Sequence, residues 1–120
     1  MNKTFIIVKT QFEGMHCYPE APGEVSFLRS PHRHIFYIEA EIEVFHEDRE
    51  LEFILVKRDL NVQLASIQLK NWSCETIAKV LQDYLKERYP VPAELNLDRT
   101  RYVNVKVFED NENGAYLREL

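Results

Sequence analysis

Three of the four histidines lie close together along the chain: His16, then His32 and His34 separated by one residue. If the His-x-His pair sits on a strand, both imidazoles leave the same face, because side chains repeat every two residues. A further imidazole from a neighbouring loop completes a facial set. Neutral imidazoles suit zinc, and three protein ligands leave a coordination position for water or a ligand. By spacing alone, ordinary core or surface histidines are the commoner reading. His46 falls in the polar turn His-Glu-Asp-Arg-Glu and reads as solvated. Glu109 ends an apolar strand face, so it either stands in water at the sheet edge or turns into a pocket. Cys17 adjoins His16 and is a candidate catalytic thiol, with a small buried side chain as the alternative. Cys74 is placed at a helix N-terminus, where a thiol pKa can fall, and packing is again the alternative.

The elements that must position these groups are legible to different degrees. Residues 4–12 (TFIIVKTQF) are β-branched and aromatic and read as a strand. Residues 13–31 hold two glycines and three prolines and read as a long loop, a kind of segment that is often functional. In residues 34–46, Phe36, Ile38, Ala40, Ile42 and Val44 alternate with Tyr37, Glu39, Glu41 and Glu43. That is an antiparallel strand with one buried face. His32 and His34 extend its apolar register. The acidic stripe Glu39, Glu41, Glu43 reads as a solvated face or a subunit contact. After the polar turn, residues 51–57 (LEFILVK) read as the partner strand of a hairpin. Residues 58–71 fit a short helix through Leu60, Leu64 and Ile67, or an extended segment. Residues 73–89 read as a helix capped by Ser73, with Ile77, Val80, Leu81, Tyr84 and Leu85 as its apolar stripe. Pro90 and Pro92 stop it. Residues 101–109 form a last strand in which Val103, Val105, Val107 and Glu109 share a face. Together these predict an α+β fold: one antiparallel four-stranded sheet with one or two helices on one face.

Composition sets the bounds. The 120 residues suit one domain, residues 1–120, and 45% hydrophobic with 29% charged is ordinary for a packed protein. A net charge of −5 argues against nucleic acid as the partner, since phosphates call for a surplus of Lys and Arg. The longest apolar runs, Phe5–Val8 and Phe53–Val56, are far too short to span a membrane or form a signal peptide. The expected setting is the cytoplasm, with both cysteines as free thiols.

The ordered set of motifs resembles the 6-pyruvoyl-tetrahydropterin synthase and 6-carboxy-tetrahydropterin synthase family, whose members adopt the T-fold. His16 stands where that family has its first metal histidine, and His32-Arg33-His34 stands where it has His-Gly-His. Glu52-Phe53-Ile54-Leu55-Val56-Lys57 looks like its Asp-Phe-x-x-Leu-Lys. Trp72-Ser73-Cys74-Glu75 looks like its Pro-Thr-x-Glu helix start. Val105-Lys106-Val107-Phe108-Glu109-Asp110 looks like its closing Val-x-Val-x-Glu-Thr, whose Glu anchors the pterin ring. The resemblance implies zinc on His16, His32 and His34, Glu109 against a ring, and a homo-oligomer, a trimer or hexamer with pockets between subunits.

Two departures bear on chemistry. The family's catalytic Cys position, shortly before His-Gly-His, is Leu28 here, and its Asp-His-x-x-Leu-Asn segment has no counterpart. Each lost acid–base group is worth ~10²–10⁴-fold in rate. The leading expectation is therefore a zinc-containing pocket protein that binds a pterin, purine or related nucleotide with altered turnover, sequestering its ligand. Arg29 and Arg33, flanking the histidine pair, are candidates for a phosphate or carboxylate, with plain surface arginines as the alternative. A second expectation is an active carbon–oxygen or carbon–carbon lyase using a substitute base such as Cys17, Glu13 or Glu24. A third is a protein-binding module that kept the scaffold and lost the pocket.

Overall fold

A computed structural model describes residues 2–119. The elements follow in the order β1 (Thr4–His16), a 3-10 segment (Gly23–Arg29), β2 (His32–Val44), α1 (Phe53–Ala65), α2 (Cys74–Arg88), a short 3-10 turn (Ala93–Leu95), β3 (Val103–Glu109) and β4 (Asn113–Leu117). The strands form one antiparallel sheet in the order β1-β2-β3-β4. The fold is thus α+β, with a four-stranded antiparallel sheet as expected. Among the described residues, no helix is long and apolar enough to cross a membrane.

The alternation of β2 does what its period dictates. Phe36, Ile38, Ala40 and Ile42 are fully or almost fully buried, and they meet Val103, Val105 and Val107 of β3 on the same face. Both α-helices cover that face, with Val56, Leu60 and Leu64 from α1 and Ile77, Ala78, Leu81 and Leu85 from α2. Each large apolar side chain so buried contributes roughly 1.5–3 kcal/mol. Ser73 caps α2 by accepting the Thr76 N–H, and Lys86 and Arg88 suit its C-terminal turn.

Three sequence expectations are corrected. Residues 51–57 are not a strand: from Phe53 they open α1, with the Glu52 side chain accepting from the Ile54 N–H. A short apolar run does not distinguish strand from helix. The deciding feature is the buried Val56, Leu60, Leu64 series, one residue in four, which appears only when the run is read onward into residues 58–65. The fourth strand is instead β4, beyond the segment read as the last strand. Third, residues 13–16 are not loop but the end of β1.

The turn into β4 has a clear cause. Asp110 and Asn111 both have left-handed φ, 52° and 57°, and the Glu112 N–H donates to the Glu109 carbonyl. Asp and Asn tolerate this conformation, which makes a tight turn inside a three-residue hairpin loop, residues 110–112.

The acidic stripe on the outer sheet face is also more than solvated. Glu39 pairs with Lys9 and Lys106, and Glu41 accepts from Asn104 and Tyr116. Glu43 is buried against Arg99 and Lys3.

Strand lengths set the stage for the site. β1 and β2 pair along their whole length, down to His16 opposite His32, whereas β3 stops with Glu109 opposite Phe36. The end of the β1–β2 ribbon therefore overhangs β3. The histidines and Glu109 lie at that step.

Candidate metal centre

The two-residue period places His32 and His34 on the core-side face of β2, next to buried Phe36. Register places His16 directly opposite His32 and Gly14 opposite His34. At Gly14 an added Cβ would lie 2.6 Å from Leu69 Cδ1, so the absent side chain leaves Leu69 its place in the core. The imidazoles pack edge to face, with centroids 4.6 Å apart for His16–His32, 5.0 Å for His32–His34 and 5.4 Å for His16–His34. One ligand atom from each lies within 4.8 Å of the others.

Hydrogen bonding fixes the neutral tautomer of all three rings. The Nδ1 of His16 is 2.8 Å from the Trp72 carbonyl, that of His32 is 2.9 Å from the Ser30 carbonyl, and that of His34 is 2.7 Å from Asp110 Oδ2. These oxygens only accept, so each Nδ1 carries the proton, and in the neutral ring the lone pair is on Nε2. The Nε2 atoms of His16 and His34 are buried with no hydrogen-bond partner. An outer oxygen on each Nδ1 is the arrangement that orients metal-binding histidines. Buried acceptors left without a donor are costly, and a cation relieves that cost. The residues present therefore fit a metal ion.

Asp110 comes to His34 through the β3–β4 turn. Its Oδ1 also accepts the Ile35 N–H at 2.9 Å, and its own N–H donates to the Ile35 carbonyl at 2.7 Å. The Ile35 amide first, then His34, hold the Asp110 carboxyl below its ordinary range. Asp110 is a site residue that sequence reasoning missed. Its signal is the turn pair Asp110-Asn111 directly after the strand-ending Glu109.

Glu109 sits at the step, its carboxylate turned inward. Oε1 is 3.4 Å from His16 Nε2 and Oε2 is 3.3 Å from His34 Nε2. The Cys74 thiol donates to Oε1 across 3.7 Å. Burial, then the Glu109 charge, push that thiol up to about 12. The helix N-terminus does not activate Cys74, because desolvation and a facing anion outweigh it.

Above the imidazoles opens a pocket of about 480 Å³. Its lining includes His16, His32, Glu109, Cys17, Trp72 and the first turn of α2. Leu28 also lines it, from the 3-10 segment. No Lys or Arg is among the lining residues.

The structure thus brings together His16, His32, His34, Glu109 and Cys17. It does not bring Arg29 or Arg33 to the same pocket. Arg33 alternates to the other face of β2 and pairs with Glu13 at 3.0 Å, while Arg29 donates through Nε to the Ala21 carbonyl at 2.9 Å. His46 is exposed in its turn, as expected, and its Nδ1 accepts the Asp48 N–H. No family model matches this chain, and no curated protein matches it.

Proposed function

We propose that this chain is a zinc-containing pocket protein of the 6-pyruvoyl- and 6-carboxy-tetrahydropterin synthase type, a divergent T-fold member that binds a pterin, purine or related nucleotide with altered turnover. The carrying observation is the set of imidazoles whose Nδ1 atoms are all engaged, leaving the buried Nε2 atoms of His16 and His34 beside Glu109. When bound, zinc supplies Lewis acidity toward a ligand oxygen or nitrogen.

The chain's own residues supply recognition. Trp72 and Tyr18 offer aromatic walls to a planar heterocycle, and Glu109 offers an acceptor to ring N–H donors. With no Lys or Arg in the lining, a phosphate on the ligand has to point out of this pocket. Turnover is the weaker function because Leu28 lines the pocket where the resemblance places a catalytic thiol. Cys74, pushed up to about 12, does not serve as a base near neutrality.

A lyase is the second reading, favoured by Cys17 in the lining beside His16. It predicts turnover of dihydroneopterin triphosphate that Cys17→Ala abolishes. Assembly into a trimer or hexamer belongs to the proposal, supported by the outer edge of β1, which has no strand partner among the described residues.

Elemental analysis of the purified protein tests the metal centre. About one zinc per chain is expected, lost in a His32→Ala, His34→Ala double variant. Trp72, the single tryptophan, reports ligand binding. Saturable quenching by neopterin or GTP supports the pocket reading. Failure to take up zinc when it is supplied refutes the metal centre, and light scattering that shows a monomer removes the shared pocket.

A further inference from the structure

The position of Glu109 calls for more than a ring anchor. Its two oxygens lie 3.4 Å and 3.3 Å from the Nε2 atoms of His16 and His34. Both nitrogens are buried and lack a hydrogen-bond partner. Their Nδ1 atoms already donate to oxygen, so in the neutral rings the Nε2 lone pairs lie beside the carboxylate oxygens. Electron-rich atoms opposed in a buried site repel unless a cation lies among them. No Lys or Arg lines the pocket to serve as that cation.

We propose that Glu109 is a fourth protein ligand to the metal in the resting protein, making a three-histidine, one-carboxylate set. This rests on the metal centre proposed above and goes further, because it closes the position that three histidines alone leave open. Carboxylate oxygen and imidazole nitrogen are both ordinary zinc ligands. The Cys74 thiol, at 3.7 Å from Oε1, gives the carboxylate the outer hydrogen bond that ligating carboxylates usually have. An incoming ligand then has to displace Glu109 from the ion, and the freed carboxylate stays in the pocket to accept the ligand's N–H groups. Binding and displacement become one event, which favours ligands that offer both a metal donor and a nearby N–H.

The test loads the full chain with zinc or cobalt(II) and compares wild type with Glu109→Gln, Glu109→Asp and His34→Ala. Zinc affinity is read by competition with a chromophoric chelator, and coordination by the cobalt(II) visible spectrum with and without azide. Circular dichroism checks that each variant is folded. Glu109→Gln is expected to lose at least about 10–100-fold in zinc affinity, the loss that removal of an outer partner of a metal ligand costs. Its cobalt form is expected to accept azide at markedly lower concentration than wild type, because a position has opened. Glu109→Asp, which keeps the charge on a shorter arm, is expected to behave like Glu109→Gln. Wild-type affinity and spectrum in Glu109→Gln, beside loss of metal in His34→Ala, overturn the fourth ligand and leave the histidine site standing. A wild type that binds neither ion overturns both.

Discussion

Asp110 grips two parts of the strand that carries His34: the ring through Oδ2 at 2.7 Å and the Ile35 amide through Oδ1 at 2.9 Å. Its role is to fix the tautomer and direction of His34 without touching an ion itself. Asp110→Asn keeps size and shape but can turn an N–H toward the ring. Metal affinity is then expected to fall about 10–100-fold, with little change in the far-ultraviolet circular dichroism. Competition with a chelator measures the first quantity. Unchanged affinity shows that the Asp110 contact does not orient the ring. The same scale governs the thiols. Cys74 is buried and its thiol is pushed up to about 12, so it is protonated near neutrality.

The histidines and Glu109 meet because β1 and β2 outrun β3 and because α2 begins at the resulting step. Trp72, whose carbonyl holds His16, and Cys74, whose thiol holds Glu109, flank the Ser73 cap. The start of α2 therefore organises two sides of the site at once. Ser73→Ala removes the side chain that accepts the Thr76 N–H at 3.2 Å. A stability loss of about 1 kcal/mol is expected from the lost cap, measured by urea unfolding. Because the cap also anchors the turn that carries Trp72 and Cys74, zinc affinity should fall in the same variant. Loss of stability with full affinity separates the helix start from the site.

Over the whole molecule, buried ion pairs gather at the end of the sheet away from the histidines. Arg101, 2% exposed, is held bidentately by Glu50 and by the carbonyls of Glu43, Tyr89 and Pro90. Burial on its own raises the pKa of Glu43 and Glu50. Arg99 and the Tyr102 amide at Glu43, and Arg101 and the Phe45 amide at Glu50, outweigh it, and both carboxyls end below the ordinary range. The sign follows from linkage. A carboxyl depressed in the folded state adds stability above its unfolded pKa, roughly 4.3, and loses it as pH falls through the lower folded value. Stability measured by urea unfolding should thus be level near neutrality and decline below about pH 4.3. In a Glu43→Gln, Glu50→Gln double variant the decline should be shallower, from a lower starting stability. An acid limb as steep as wild type places the responsible carboxyls elsewhere.

Much of the site could be read from residue spacing. A period of two fixed His32, His34 and Phe36 on one face of β2 and Val103, Val105, Val107 and Glu109 on one face of β3, because strand side chains alternate whatever the partner. The cap at Ser73 and the stripe of α2 were likewise local. Register was not local. His16 meets His32 only because β1 runs on through residues 13–16, and that pairing depends on which strand it joins. Phe53–Lys57 became helix because burial of Val56, Leu60 and Leu64 against the sheet outweighed local β-propensity. Asp110 reached His34 only through a left-handed turn into a strand with little sequence pattern. Arg33 was turned from the pocket by the alternation that turned its neighbours in. Sequence determined the donors and their faces, since these follow from the covalent period of the chain. Tertiary structure alone decided which donors share a pocket and which nitrogens lie buried, since both depend on contacts between residues distant in sequence.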